Sequence, residues 1–432
     1  MATSTRAVLN SRAAAVLDST SLFLTHQPEV LAAPRDGLGE AVGPVWLRGR
    51  LLFSDTVRDC FWTWSELDGI QKLKEHVGGC PGREDLRLSV HEEALRARHT
   101  YCPRNQAQPG PSAMAEDNTT SLLVTLQHGA RRVVRLDPSS LETIDVLAAS
   151  FDGKALNAPR DVTQHPSDGS LVFTDGYDGF REVGSLASLG DNDYLQRNSA
   201  LGYAGVYTVP LPRRVGAADV ERPLLLLSDV ARPWGVAFEP RDLDAGNTRR
   251  PPALWVSECC QGHAASCPKG LGRWHRYAWR APNTSGPASG GEAPMVRERT
   301  MEWSNGALSD TGVARAGCAA GFRVLGRRGR SPLLVGACPL GVCVLDTGRP
   351  AQPLVEFVPF GKHRVTHVAF AGGHLYVTGE GHLWRLQVAP SYVVVNGTLM
   401  LSDEGAAGEA LLLATPGGAE PKLVRTEERP YL

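Results

Sequence analysis

The chain repeats one phrase: an apolar strand, a turn containing Gly or Asp, and a second apolar strand that ends on a small polar residue. Residues 42–55 (VGPVWLRGRLLFSD) and 161–175 (DVTQHPSDGSLVFTD) are two copies. Residues 234–258 carry the same shape with a longer turn, and 321–336 and 366–378 (THVAFAGGHLYVT) repeat it. One such unit is a single sheet that cannot bury both of its faces. Copies must therefore supply one another's core around a ring, which is the logic of a β-propeller. With 121–147 supplying the second blade, the count is six. Short β-branched or aromatic runs bounded by Gly, Pro, Asp and Asn, such as 132–136, 205–209, 224–227 and 342–345, fit this all-β reading.

We expect an all-β, six-bladed propeller as a single domain, with blades over about 39–388. Residues 22–31 are expected to close the ring against the last blade, and 389–432 to pack on it as an extension. A long, partly helical insertion is expected in blade one at 65–117, and a shorter excursion in blade four at 241–252. Helical spacing is scarce and is read only at 65–76, 89–98 and 404–414.

Charge narrows the function. Lys plus Arg is 45 and Asp plus Glu is 46, a net charge of −1. That balance opposes electrostatic binding to nucleic acid. No apolar stretch nears the about 20 residues that span a bilayer. The nine cysteines include no C-x-x-C pair, so a zinc ribbon is not indicated. Cys259 or Cys260 is expected to bridge to Cys267 or beyond. Three N-x-[ST] sequons, at Asn118, Asn283 and Asn396, lean with the cysteines towards a secretory route. The first residues lack the apolar core of a signal peptide, which keeps a cytoplasmic reading open. The elbow of serine hydrolases, the P-loop, the dinucleotide-binding glycine pattern and H-E-x-x-H are all missing from the sequence.

Five phrases in order carry a family resemblance. They are GPVW (43–46) with LLFSD, LNAPRDV (156–162) with LVFTDGYDG, PWGVAF (233–238) with LWVSE, AGFRVL (320–325) with LLVGACPLGVCVLD, and FAGGHLYVTGEGHLW (370–384). Over about 39–388 the chain resembles the senescence-marker-protein/gluconolactonase family, most closely its fungal lactonohydrolase branch. The resemblance implies a six-bladed propeller with its active site at one mouth of the central channel. It also implies a divalent cation held there by oxygen ligands.

The ligand positions depart from that pattern. Val42 stands where the family has a Glu, with Glu40 two residues earlier. Arg160 precedes Asp161 where the family has Asn, and Trp234 lies between Pro233 and Gly235 where it has Asn again. Ala320 replaces an acid, and Arg323 a histidine. Guanidiniums stay cationic and repel a divalent ion at short range. No metal and no other cofactor is therefore expected.

Such a mouth suits an apolar small molecule bearing an oxygen acceptor. Arg160 and Arg323 are the expected oxygen-polarising donors, with His367 as a further acid or donor. Trp234, Tyr177, Phe180, Val42 and Ala320 are the expected shaping surfaces. The bland alternatives stay open: Arg160 and Arg323 pairing with Asp161 or Glu40, and Trp234 as core. His128 reads as backbone-bonded, His363 as an accidental neighbour of His367, and 274–279 (WHRYAW) as a half-buried strand. Asp175 and Glu258 read as carboxylates that satisfy turn amides. Metal-less propellers of this kind resemble the fungal hetero-Diels–Alderases of tropolone–sesquiterpenoid pathways. There an ortho-quinone methide adds across the alkene of a humulene-type terpene. The expected function is such a cycloaddition. The alternatives are a lactonohydrolase with a metal site rebuilt from Glu40, Asp161 or Glu258, and a ligand-binding propeller without catalysis.

Overall fold

The computed structural model describes residues 21–80, 108–177, 180, 199–211, 222–240, 252–259, 271–279, 294–304, 319–327, 330–338, 340–389, 392–395 and 398–401. Six four-stranded antiparallel sheets form around one axis. Their inner strands are Ala41–Leu47, Met114–Asp117, Pro159–Gln164, Pro233–Phe238, Phe322–Arg327 and Val365–Ala371. Each inner strand packs on the next, and the sixth returns to the first. The protein is thus a six-bladed β-propeller, and apolar clusters fill the spaces between blades.

Ring closure is shared between the chain ends. Glu29–Ala32 is the outer strand of blade six, paired with His382–Gln387. Phe23 bridges to Val388 just beyond it. Near the other end, a hairpin of Tyr392–Val395 and Thr398–Leu401 lays its second strand against the inner strand of blade five. Among the described residues helix is confined to a 3-10 turn at Pro34–Asp36 and to Phe180, and no helix is long and apolar enough to cross a membrane.

Small polar side chains fasten the blades, two of them, Thr174 and Ser257, from the end of the repeated phrase. Ser112 Oγ donates to Pro159 O (2.7 Å), Thr174 Oγ1 to Trp234 O (2.7 Å), Ser257 Oγ to Ala320 O (2.9 Å) and Thr366 Oγ1 to Ala41 O (2.6 Å). Backbone N–H groups fill the two remaining junctions, Gly110 to Thr56 O and Gly321 to Thr366 O (both 2.8 Å). Thr174 Oγ1 also accepts the Asp161 N–H at 3.0 Å. Thr174→Val keeps the shape and strands two buried partners. It should cost about 2 kcal/mol, read as a lower urea midpoint with unchanged slope.

The expected helix at 65–76 is instead a turn and the outer strand of blade one, Gly69–Glu75. Ile70 and Leu73 are three apart, a helical spacing. A register shift opposite Phe61 and Trp62 makes Leu73 an extra residue, so both side chains reach the same apolar cluster from a strand. The insertion is accordingly shorter than 65–117, because Met114–Asp117 is the inner strand of blade two. The expected helices at 89–98 and 404–414, and residues 241–251 of the excursion at 241–252, lie outside the described residues. Residues 271–279 are the third strand of blade four, with Trp274 and Tyr277 buried.

Cys338 and Cys343 form a disulfide within blade five, a pair the sequence reading did not single out. Cys80 and Cys259 are also disulfide-bonded. The Cys60 thiol is free and buried, and burial pushes it up to about 12.

Candidate functional site

Chain direction gathers one set of side chains at the end of the channel where the inner strands begin. Glu40 and Arg364 immediately precede their strands, Arg160 and Trp234 are second in theirs, and His367 is third. Gln108 comes from the segment leading into blade two.

Glu40 is the hub. Its carboxylate accepts from Gln108 Nε2 and Arg364 NH2, both at 2.6 Å, and lies 3.6 Å from Arg160 NH2. Gln108 Oε1 in turn accepts from Arg160 NH1 at 3.0 Å. The Arg160 guanidinium lies 4.0 Å from the centre of the Trp234 ring and is 1% exposed. The structure therefore uses a face of Trp234 to seat Arg160, a cation–π contact. Arg160 meets Glu40 as the pairing alternative held.

Asp161, Arg323 and His367 form the second half. Asp161 accepts the Val162 N–H at Oδ1 (2.9 Å) and the Val236 N–H at Oδ2 (3.0 Å). Burial pushes its carboxyl up to about 6, opposed by the Arg323 guanidinium, those amides and Arg160. Arg323 is half-buried and donates from NH1 to Phe322 O at 2.9 Å. Burial pulls its guanidinium below the ordinary value, and Asp161 opposes the pull.

His367 is 1% exposed, with Nε2 at 3.8 Å from Asp161 Oδ1. Burial first, then Arg160 and Arg323, hold its imidazole well below the ordinary value, so it is neutral. Among the described residues neither ring nitrogen has a hydrogen-bond partner, and neither does Trp234 Nε1. The ring fits because residue 321 is Gly: a Cβ there would stand 2.0 Å from His367 Cδ2.

The other expected shaping residues are buried. Tyr177 and Phe180 are buried in a small cluster with Ala204, and Phe180 lies under the Arg131 guanidinium at 4.3 Å. Val42 is fully buried in its strand, and Ala320 shares a core cluster with Trp234. His128 Nδ1 meets Pro159 O at 3.1 Å. His363 packs on His382, ring centres 4.2 Å apart. Asp175 accepts the Asn157 and Ala158 N–H groups, at 2.8 and 2.7 Å, and burial pushes it up to about 7. Glu258 takes the Ala231 N–H and meets His275 Nε2, both at 3.2 Å. The sequence reading missed Gln108 and Arg364. A signal existed: Gln108 precedes P-G-P-S as other strand starts carry a Pro, and Arg364 directly precedes THVAF.

A divalent cation does not fit this donor set. Glu40 is bracketed by Gln108 and two guanidiniums, and Asp161 has Arg323 and Arg160 as charged neighbours. Three cations face two carboxylates around a neutral imidazole, so the mouth favours negative oxygen. Among the described residues no three His, Cys, Asp or Glu side chains are arranged to hold a metal ion.

No protein-family model and no curated protein matches the sequence. Solved structures do. One is a putative gluconolactonase, 19% identical, with a TM-score of 0.53 over 88% of this chain and 96% of that one. Another is a gluconolactonase from Xanthomonas campestris, 19% identical, with a TM-score of 0.52 over 87% and 99%. The likeness is one of fold. It extends the six-bladed architecture over nearly the whole of those chains, while identity this low leaves the chemistry to the mouth itself.

Proposed function

We propose that this protein is a small-molecule enzyme whose channel mouth works without a metal ion. Arg323 and His367 polarise a carbonyl-type oxygen of a largely apolar substrate. The observation that carries this reading is His367: buried, neutral, beside two guanidiniums, and with both nitrogens lacking partners. Preorganised donors act most strongly where water is excluded and charge develops on oxygen. Arg160 is a positioning residue, tied to Glu40 and Gln108 and seated on Trp234.

The reaction class we favour is a hetero-Diels–Alder cycloaddition. Hydrogen bonds to the heterodiene oxygen lower its acceptor orbital, and a fixed pair of reactants replaces a bimolecular encounter. One C–C and one C–O bond form, with no proton or leaving group to place. The pairing of an ortho-quinone methide with a terpene alkene rests on the sequence resemblance. A second reading, lactone hydrolysis without metal, is favoured by Asp161 beside His367 and by the fold of the two gluconolactonases. There His367 takes a proton from the water that attacks the carbonyl carbon, the ring acyl C–O bond breaks, and His367 returns the proton to the leaving alkoxide.

Purified protein incubated with an ortho-quinone methide precursor and humulene, and separately with a panel of lactones, separates the readings. Dihydropyran formation above background, lost in Arg323→Ala, is the expected result. Lactone opening without adduct replaces it with the second reading. Turnover of neither leaves a ligand-binding propeller. For the route, the disulfides and the exposed turn that holds Asn118 support a secretory compartment.

The activity should depend on pH through Asp161. Its carboxyl ionises near pH 6, so the ionised fraction grows as pH rises through that value. Only the ionised form attracts the neighbouring Arg323 and leaves Asp161 a pure acceptor. kcat/KM should therefore climb through an apparent pKa near 6 and level off above it. Asp161→Asn should flatten that limb in a pH–rate profile.

A further inference from the structure

We propose that His363 and His382 form a binding site for a copper(II)-type transition-metal ion on blade six, separate from the cation-repelling side chains of the mouth. The proposal goes beyond the small-molecule reading and does not rest on it.

Local structure brings the two rings together. His363 lies in the turn that enters the inner strand Val365–Ala371, and His382 opens the third strand, His382–Gln387. Their ring centres are 4.2 Å apart, and both side chains are half-buried. Trp384 braces the pair. Its ring stacks on His382 at 4.8 Å and 7°, and its centre is 5.9 Å from that of His363. The indole fits because residue 379 is Gly: a Cβ there would stand 2.8 Å from Trp384 Cζ3.

The nitrogens are set for a metal. His382 Nδ1 lies 2.8 Å from Glu380 O, and a carbonyl only accepts, so Nδ1 carries the proton. In the neutral ring Nε2 is then bare. A backbone carbonyl on the far nitrogen is how metal-binding histidines are commonly oriented. Burial first, then His382 and Lys362, hold His363 below its ordinary value against the pull of Glu380, so this ring too offers a lone pair at neutral pH. Among the described residues neither nitrogen of His363 nor Nε2 of His382 has a hydrogen-bond partner.

Spacing selects the ion. Bonds of about 2.0 Å from one metal to two imidazoles at a right angle set the ring centres about 4.5 Å apart, and a tetrahedral angle sets them about 5 Å apart. The observed 4.2 Å is nearer the right angle, the geometry of tetragonal copper(II) rather than of structural zinc. Among the described residues no third His, Cys, Asp or Glu joins the pair, so water completes the coordination.

The test titrates full-length, chelator-washed protein with copper(II) chloride, read by electron paramagnetic resonance. The wild type should take up one equivalent at a site whose spectrum is split by two imidazole nitrogens. His363→Phe and His382→Phe keep an aromatic ring beside Trp384. Each should weaken this binding by about tenfold or more, since losing even a group that only orients a metal ligand costs about 10–100-fold. Copper should also shield His363 and His382 of the wild type from diethyl pyrocarbonate, read by peptide mass spectrometry. That measurement decides the matter if a variant folds poorly. Binding retained in both variants, or modification of the two rings unchanged by copper, would overturn the proposal. Binding lost in Asp161→Asn instead would place the ion at the mouth and overturn it as well.

Discussion

Arg323→Ala should lower kcat/KM by roughly a hundredfold, the usual loss when one preorganised oxyanion donor is removed. The melting temperature changes little. Arg323 is half-buried, and its one described side-chain hydrogen bond goes to the carbonyl of the preceding residue. Removing it therefore strands no other side chain that depends on it for a hydrogen bond. Arg323→Lys restores only part of the rate, because a point charge replaces a planar fork of donors. Steady-state kinetics beside a thermal melt separates this from a folding defect. Unchanged kinetics in Arg323→Ala would remove Arg323 from the chemistry.

Glu40→Ala has the opposite profile: a large loss of stability. Glu40 holds Gln108 and Arg364 by hydrogen bonds and neutralises the 1%-exposed Arg160. Deleting one partner of a buried ionic group leaves the remaining charge uncompensated, at a cost of about 3–5 kcal/mol. Urea denaturation should show it as a drop in midpoint. Combining Glu40→Ala with Arg160→Met should recover much of the loss, since the stranded guanidinium is gone and Met still packs on Trp234. A double variant as unstable as the sum of the singles would show that Glu40 acts through something other than Arg160.

The blades were legible because their signal is local and repeated. Four of the five phrases end on Thr, Asp or Glu, and the polar ends have a physical reason: Thr174 and Ser257 latch the next blade, while Asp55 and Asp175 hold the backbone amides of the segment entering their own. Gly69–Glu75 was misread because the bulge at Leu73 gives a strand the spacing of a helix. The mouth was half legible. Arg160, Trp234 and Arg323 stand out as replacements in a family pattern. Their partners do not, because Glu40 and Arg364 are 324 positions apart in sequence and meet only when the ring closes. Trp234 looked like an open apolar surface, and nothing local announces that Arg160 lies over its ring. Tyr177 and Phe180 were read as aromatic walls from their place after Asp175, and their packing with Ala204 has no local signal in the sequence.

The central claim is that this ring centre has exchanged cation chemistry for oxygen recognition by cations. Calorimetric titration of the chelator-washed protein with calcium and with zinc, alongside Glu40→Gln and Asp161→Asn, tests it directly. Neither ion should bind at the mouth, so the two variants should give the same heats as the wild type. One equivalent of metal per chain, bound by the wild type and lost in either variant, would contradict it.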